Sequence, residues 1–212
     1  IIDEVTLDLA PHLDEIMIAG GEPLYHEKHY KFLEQLQPVA HRLRLSYNTN
    51  LNTLQYKGKS ILDLWQNFKR LWIRISIDAD PSCYTYVRSG GTLSKVEDNI
   101  AKLNANLTNA SISATLTTCL YNITRLVDII DYFNSLDVYF HTSLVQYPKA
   151  LNIKLLPKHL KEKVTNDFKL WLSSNQHIDP EKYRRIKKFG TNVINYMNAE
   201  DWHDQWQSFL DY

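Results

Sequence analysis

Short apolar runs alternate with longer amphipathic segments along the first two thirds of the chain. The short runs are typical of strands, whereas the longer segments repeat apolar residues every three or four positions, as helices do. The predicted strands are Glu15–Ala19, Arg42–Asn48, Leu71–Asp78, Ser111–Thr118 and Val138–Val145. The predicted helices are His26–Pro38, Ile61–Lys69, Leu93–Asn104, Ile123–Leu136, Pro157–Ser174 and Pro180–Met197.

This alternation predicts an α/β fold, because strands separated by helices of this length form repeated β-α units around a parallel sheet. In the predicted helix Leu93–Asn104, the spacing of the apolar residues gives one buried stripe. In the predicted strand Arg42–Asn48, apolar and polar residues alternate, which indicates a strand covered on one face only, near an edge of the sheet. The segment Tyr56–Lys59 contains a glycine and two lysines and is typical of an exposed turn.

The strand pattern stops at about Ala150, and the remaining sequence is helical in character. We therefore divide the chain into an α/β core, residues 1–150, and a C-terminal helical segment, residues 151–212, packed on that core. Pro157 and Pro180 suit the first turns of two helices, where proline removes no needed N–H. The tryptophans of this segment are expected to pack it onto the sheet; they are Trp171, Trp202 and Trp206.

Composition and charge limit the classes of protein to which this chain can belong. The 212 residues suit one domain, and equal numbers of acidic and basic residues give no net charge that would attract nucleic acid or a membrane surface. No apolar run approaches the ~20 residues that span a bilayer. We therefore expect neither nucleic acid nor a membrane as a partner. The chain opens at Ile1 and stops within a helical pattern, so we expect both ends to be cuts in a longer protein.

Several kinds of familiar chemistry have no motif in this sequence, which contains no GxGxxG, P-loop, HExxH or GxSxG run. His26 and His29 have the spacing of a metal-binding pair, but no third ligand is evident, and we expect them on a solvated helix face. Two cysteines, Cys83 and Cys119, are too few and too far apart for a disulfide framework, so we expect a reducing, cytoplasmic location. Cys119 lies on a predicted buried strand and is expected to serve packing.

The most informative motif follows the first predicted strand. An apolar run ends at Gly20-Gly21-Glu22-Pro23, shortly before a predicted helix. Two glycines allow positive φ and leave space for a ligand to approach the main chain, and Glu22 adds a fixed carboxylate. In parallel α/β folds, ligands bind beyond the carboxyl ends of the strands. The alternative is a tight strand-to-helix turn with no ligand.

Other predicted strands also end in small or polar residues, which on a parallel sheet would converge on one rim. Each group also has a simpler explanation, as a turn cluster or a helix cap. Arg88 precedes a glycine pair and is suited to grip a carboxylate or phosphate with two N–H groups; the alternative is an ordinary surface arginine. The strand-end residues are Asn48-Thr49-Asn50, Ser76, Asp78, Gln146 and Pro148.

Taken in order, these motifs resemble the radical S-adenosylmethionine (SAM) superfamily, and more narrowly its twitch domain-containing members. The resemblance covers nearly the whole chain. It implies a partial, TIM-like (β/α)6 barrel that lacks its first strand here, followed by a C-terminal helical segment. The resemblance is carried by GGEP at 20–23, YNTNL at 47–51, ISID at 75–78, YVRSG at 86–90, VEDNI at 96–100, Pro148, and residues 152–160 and 196–201.

The resemblance also implies roles for the matching residues. Gly20, Gly21, Glu22 and Pro23 would hold the methionyl amino group of SAM, with the carboxylate of Glu22 close to that ammonium. Asn50 would contact the ribose or the amino-acid end of the cofactor.

Ser76 and Asp78 match positions with the same contacts to the ribose or the amino-acid end. Arg88 matches a position that pairs with the methionyl carboxylate. Gln146 and Pro148 lie where the adenine would be expected.

One part of the family pattern is missing from this sequence. The CxxxCxxC motif, whose three thiolates hold three irons of a [4Fe–4S] cluster, is absent, and Cys83 and Cys119 replace it neither by number nor by spacing. Family order would place the motif N-terminal to this chain. We interpret the chain as a fragment of an active enzyme, with the cluster ligands outside it. The alternative is a degenerate relative that binds SAM or a nucleotide without a cluster.

For the intact protein, the resemblance implies an enzyme in which a reduced cluster donates an electron to SAM, so that a 5′-deoxyadenosyl radical abstracts a hydrogen atom from a substrate. An electron donor would be a partner, and family analogy favours a peptide or protein substrate. No residue of this chain is predicted to be catalytic or a metal ligand, and the chain alone is expected to be inactive. A third possibility is a different α/β-barrel enzyme with a phosphate or carboxylate ligand at the same rim.

Overall fold

The computed structural model describes residues 9, 12–202 and 205–211 and shows an α/β fold. The strands are β1 (Glu15–Ile18), β2 (Arg44–Thr49), β3 (Gln55–Tyr56), β4 (Lys59–Ser60), β5 (Arg70–Ser76), β6 (Ala110–Thr118) and β7 (Tyr139–Leu144). Five of them form one parallel sheet in the order β1-β2-β5-β6-β7, and β3 and β4 form a separate hairpin. The predicted strands are thus confirmed, with ends shifted by one or two residues.

The helices also follow the predicted pattern. Short 3-10 helices lie at Pro23–Tyr25, Gln37–Arg42, Ile123–Arg125, Lys149–Leu151 and Ile153–Leu155. The α-helices are α1 (Glu27–Leu36), α2 (Ile61–Trp65), α3 (Tyr84–Val87), α4 (Leu93–Asn106), α5 (Leu126–Ser135), α6 (Lys158–Ser174), α7 (Pro180–Asn198) and α8 (Gln207–Leu210).

Helix α2 is shorter than predicted, because it ends at Trp65 instead of continuing to Lys69. The N–H of Lys69 donates to the carbonyls of Ala40 and Leu43, at 3.1 Å and 3.0 Å. These bonds draw the backbone out of the helix just before β5 begins.

The chain forms two compact units, each built from two segments. The first unit contains the described residues up to Ile77 together with Gly90–Ala114, and the second contains Asp78–Ser89 and the described residues from Thr115 onward. The predicted division at residue 150 stays a prediction.

The core of the first unit lies between one face of the sheet and the helices. On β5 every second side chain is fully buried, as Leu71, Ile73 and Ile75 show. The predicted stripe of α4 is buried as well, at Val96, Ile100 and Leu103. Period-two burial on the strands and a single apolar stripe on each helix produce this layer.

Strand β2 is not at an edge, contrary to the expectation from its alternating pattern. It pairs in parallel with β1 on one side, where Ile16 is opposite Leu45, and with β5 on the other, where Leu45 is opposite Leu71. The alternation correctly indicates that only one face of β2 is apolar, but this property does not distinguish an edge strand from an inner one.

The exposed turn predicted at Tyr56–Lys59 is confirmed and connects β3 to β4. Lys57 and Gly58 occupy its two central positions with φ values of 48° and 80°. Positive φ at both positions is the backbone of a type I′ turn, which matches the twist of a two-residue hairpin.

His29 is buried, so the prediction that it lies on a solvated helix face is wrong. Its Nε2 lies 2.8 Å from the hydroxyl of Tyr47 on β2, whereas His26 is exposed at the start of α1. Burial lowers the pKa of His29 to about 4, with a smaller contribution from the charge of His26, and the carbonyl of Pro23 partly opposes the shift. The imidazole is therefore neutral in the folded protein near pH 7.

In the second unit, helix α6 connects to both neighbouring helices through aromatic side chains. The indole N–H of Trp171 donates to Asp131 of α5 at 2.6 Å, and its ring stacks on Phe168 at 6.5 Å between centroids. The Phe168 ring lies directly against Gly190 of α7, where a Cβ would come within 2.1 Å of it. A glycine is thus required for this close contact of α6 with α7.

None of the helices in the described part of the chain has both the length and the apolar character needed to cross a bilayer.

We predict that His29 makes the protein less stable in weak acid. The unfolded chain binds a proton at His29 near pH 6.5, whereas the folded protein binds it only near pH 4. Above about pH 6.5, His29 is neutral in both states and does not reduce the free energy of unfolding. As the pH falls from 6.5 towards 4, protonation favours the unfolded chain, and the free energy of unfolding falls by about 2–3 kcal/mol. Urea unfolding at pH 7.5 and pH 4.5 measures this difference, which should shrink in His29→Gln.

The matched control is His159→Gln, which removes an exposed histidine from α6 and should keep the pH dependence of the parent protein. An unchanged pH dependence in His29→Gln would contradict the prediction.

Candidate functional site

The loop after β1 has the backbone that its two glycines predict. Gly20 and Gly21 have φ values of 94° and 54°, in the left-handed region that favours glycine. Both residues are exposed, and a Cβ built at either position would meet no atom within 4 Å. The glycines are therefore needed for the backbone conformation, and they leave the main chain open to a ligand.

Glu22 joins this loop to the end of β2. Its Oε1 accepts hydrogen bonds from the N–H of Leu24 at 3.2 Å and from the hydroxyl of Thr49 at 2.6 Å, and its Oε2 accepts from the N–H of Asn50 at 2.6 Å. The side chain also caps the 3-10 helix that begins at Pro23, a buried proline. Three donors therefore fix the position of the carboxylate.

The end of β2 is shaped by its own polar side chains. The hydroxyl of Thr49 accepts from the N–H of Leu51 at 3.0 Å, and the side-chain oxygen of Asn50 accepts from the N–H of Asn52 at 3.0 Å. Leu51 has a φ of 53°, and its carbonyl accepts from the amide of Asn99 at 2.9 Å. Asn50 thus reaches Glu22 through its main chain, while its side chain closes the next turn.

The anchored carboxylate of Glu22 still has room for one more donor. A carboxylate oxygen can accept about two hydrogen bonds. In the described part of the chain, Oε1 of Glu22 accepts two hydrogen bonds and Oε2 accepts one. Oε2 can therefore accept one more. An ammonium group is suited to such a position, because charge-assisted hydrogen bonds to a fixed carboxylate are strong.

Tyr30 is a buried residue of α1 whose phenol is affected by the charge of Glu22. Burial, with a contribution from the negative charge of Glu22, raises the pKa of Tyr30 to about 12. Its hydroxyl has no hydrogen-bond partner within the part of the chain that the structure describes. The phenol is therefore neutral and close enough to sense the Glu22 charge.

The second unit holds Asp78 and Arg88, which the structure brings together. Asp78 is buried and has a φ of 60°, in the left-handed region that aspartate tolerates. Its Oδ2 accepts from Nη2 of Arg88, and its Oδ1 accepts from the N–H of Thr117 at 2.5 Å. The amide of Asn122 donates to the carbonyl of Asp78 at 3.0 Å. The two residues predicted to contact SAM separately therefore bind each other.

A second buried carboxylate, Asp80, lies two residues further along. Arg125 donates to both of its oxygens, at 3.1 Å and 3.2 Å, and Ser82 donates twice to Oδ1. Burial alone would raise the pKa of Asp80, but the hydrogen bonds from Arg125, Ser82 and Cys83 outweigh it and hold that pKa well below its usual range. This pair fixes the loop after β5 to the start of α5.

Two other predicted residues lie at strand ends. Ser76 is half-buried as the last residue of β5, in the first unit, and Gln146 is exposed after β7, in the second. The structure thus brings together Gly20 to Pro23 with Asn50, and Asp78 with Arg88. Whether these residues bind a ligand stays a prediction.

Cys83 and Cys119 are both free thiols, and Cys119 is buried, as predicted for a packing residue. Burial raises the pKa of Cys83, and the adjacent Asp80 carboxylate raises it further. Among the residues that the structure describes, no three histidine, cysteine, aspartate or glutamate side chains are grouped so as to hold a metal ion.

Sequence reasoning missed Thr49, Thr117, Asn122 and Arg125. Thr49 stands inside the recognised run Asn48-Thr49-Asn50, so that motif held a signal for it. The others act through contacts with residues about 40 positions away, which no local pattern indicates.

The chain matches no protein-family model, and it matches no curated protein. Functional assignment therefore depends on the motifs and on the geometry of these loops.

We predict that Glu22→Gln lowers the free energy of unfolding by about 1–3 kcal/mol. The substituted amide would place an NH2 group against one of the donors from Thr49 or Asn50, which would lose its acceptor. Urea unfolding at pH 7 measures the change.

Glu34→Gln serves as the control, because Glu34 is exposed and its carboxylate forms an ion pair with the exposed Lys59. That change should cost less than about 1 kcal/mol. Equal losses in the two variants would show that the Glu22 contacts do not stabilise the fold.

Proposed function

We propose that this chain is part of a radical SAM enzyme and that the Gly20–Pro23 loop holds the amino-acid end of SAM. The observation that supports this most directly is the Glu22 carboxylate, fixed by three donors and keeping one acceptor site beside two exposed glycines. The five-stranded parallel sheet is compatible with a partial (β/α)6 barrel, which we propose as the architecture.

The residues of this chain would bind and orient the cofactor. Glu22 would accept a hydrogen bond from the methionyl ammonium, and the main chain at Gly20 and Gly21 would allow close approach. Asn50 would contribute through the turn that it closes. When bound beside a reduced [4Fe–4S] cluster, SAM supplies a radical that abstracts a hydrogen atom from the substrate.

Arg88 would contribute to cofactor binding through the guanidinium N–H groups that do not donate to Asp78. A guanidinium carries five N–H groups, and the pairing with Asp78 uses one nitrogen, Nη2. The side chain of Arg88 is 31% exposed, whereas that of Asp78 is 7% exposed. Asp78 holds the inner edge of this guanidinium, and its outer edge is suited to a carboxylate, the group that the family pattern assigns to Arg88. Ser76 and Gln146 are proposed as further contacts by position in the family pattern.

The remaining parts of the proposal depend on the family resemblance. They are a cluster bound by cysteines outside this chain, an electron donor, a peptide or protein substrate, and a cytoplasmic location. A relative that binds SAM or a nucleotide without a cluster is the alternative outcome.

We predict that the purified chain binds SAM and that Glu22→Gln weakens the binding about tenfold or more, because a charged hydrogen bond to the ammonium is lost. Isothermal titration calorimetry measures the dissociation constant, and circular dichroism verifies that each variant is folded. Glu34→Gln should bind SAM as the parent chain does. Absence of SAM binding, or equal binding by Glu22→Gln, would contradict the proposed role of the loop.

A second prediction concerns the gene upstream of Ile1. We expect it to encode CxxxCxxC a few dozen residues before Gly20, and the longer protein to show the absorbance band of an Fe–S cluster after anaerobic reconstitution. If SAM binds but the upstream cysteines are replaced, the protein is a binding relative without radical chemistry.

A further inference from the structure

The sheet of the first unit has two unlike faces. One face is apolar and buried against helices, through residues such as Leu45, Ile73 and Ile75. The opposite face carries the alternate side chains of the same strands; on β2 and β5 these are half-exposed or exposed apart from the buried Ser46, and the exposed Met17 of β1 lies beside Ser46. On β2 and β5 these residues include Arg44, Asn48, Arg70, Trp72 and Arg74.

Strand register places these side chains next to one another. Arg44 is opposite Arg70, Ser46 is opposite Trp72, and Asn48 is opposite Arg74. Paired residues of neighbouring strands point to the same side of a sheet. We call the surface formed by Arg44, Arg70, Trp72 and Arg74 the arginine face.

We propose that the arginine face binds the phosphate group of a small phosphate monoester that carries a planar ring. This site does not depend on the proposed function. Where both hold, the substrate is a phosphate monoester instead of the peptide that family analogy favours.

The charge of this face matches a phosphate monoester. Within the described strands of the first unit, the charged residues on this face are three arginines and Glu15, which gives a net charge of about +2. Glu15 is already engaged, since it accepts from the hydroxyl of Ser46 at 2.9 Å and lies 3.9 Å from Arg44. A phosphate monoester carries about −1.5 to −2 charges at pH 7, whereas a single carboxylate carries one.

The arrangement of the guanidinium groups also suits such a ligand. Arg44 and Arg70 lie against the Trp72 ring, at 6.0 Å and 5.8 Å from its centroid, which limits their mobility. Arg70 also donates to the hydroxyl of Ser111 at 3.2 Å. A held guanidinium binds phosphate oxygens with two parallel N–H groups more readily than a free one does.

Arg74 completes the site at the carboxyl end of β5. It lies four residues beyond Arg70, or about 13 Å along the strand, with Trp72 between them. Long arginine side chains can cover this span from both ends. Arg44 and Arg70 already lie against the indole of Trp72, so a ligand ring would contact the part of this half-buried side chain that they leave exposed. The arginines thus match the phosphate group of the proposed ligand, and Trp72 matches its planar ring.

Titration of the chain with phenyl phosphate, followed by calorimetry and by ¹H–¹⁵N NMR of the indole N–H groups, tests the proposal. We expect saturable binding that shifts the Trp72 signal. Arg70→Gln and Arg74→Gln should each weaken the binding about tenfold, because each removes a charged hydrogen bond. Lys31→Gln, which removes an exposed positive charge from α1, should leave the binding unchanged.

Several results would overturn the proposal. These are absence of saturable binding, equal weakening by Lys31→Gln, equal or tighter binding of benzoate, and tighter binding of an acidic peptide. If a glutamine variant fails to fold by circular dichroism, Arg74→Lys replaces it and should still weaken binding, because lysine cannot form the paired N–H contacts. Glu22→Gln should not affect phenyl phosphate binding, so failure of the SAM proposal is distinguishable from failure of this one.

Discussion

The contact of the Glu22 carboxylate with the end of β2 determines the geometry of the strand-end loops in the first unit. Thr49 and Asn50 donate to Glu22, and the same Thr49 hydroxyl then accepts from Leu51. Leu51 has positive φ, a conformation that costs a residue other than glycine about 1–3 kcal/mol and that persists only where the surroundings hold it. Asn99 provides the second restraint, through the Leu51 carbonyl. One carboxylate thus stabilises a backbone conformation that is unfavourable by itself.

The regular elements could be predicted because their signals are local. Apolar residues repeat every two positions in a strand and every three or four in a helix, and these spacings determine which face is buried. They were sufficient to predict the five sheet strands and the longer helices. His29 shows how a local pattern can be misread. It lies four residues before Leu33 and seven before Leu36, on the buried stripe of α1, but the spacing to His26 suggested a solvated face. The spacing of His29 from these leucines predicts its burial better than its spacing from His26 does, because residues four and seven positions apart lie on the same face of a helix.

The candidate site was only partly predictable, because its contacts join distant residues. Glycines, an acid and a proline after a strand indicated an open loop, and the positive φ values of Gly20 and Gly21 agree with that. The pairing of Asp78 with Arg88 could not be inferred, since both residues were equally good candidates for separate ligand contacts. A buried carboxylate needs an ionic or hydrogen-bonding partner, but sequence does not tell which of the available arginines provides it.

The two interleaved units have a consequence for the synthesis and dissection of the chain. Each unit consists of two segments, and the segments alternate at Ile77, Ser89 and Ala114. No single cleavage therefore separates the two units, because a fragment that contains one whole unit also carries a segment of the other. On the ribosome, the first unit cannot be completed until Ala114 has emerged, because its second segment contains helix α4 and the buried stripe of that helix. Cleavage at any one of these boundaries consequently divides at least one unit, and a fusion or circular permutation has to respect three boundaries at once.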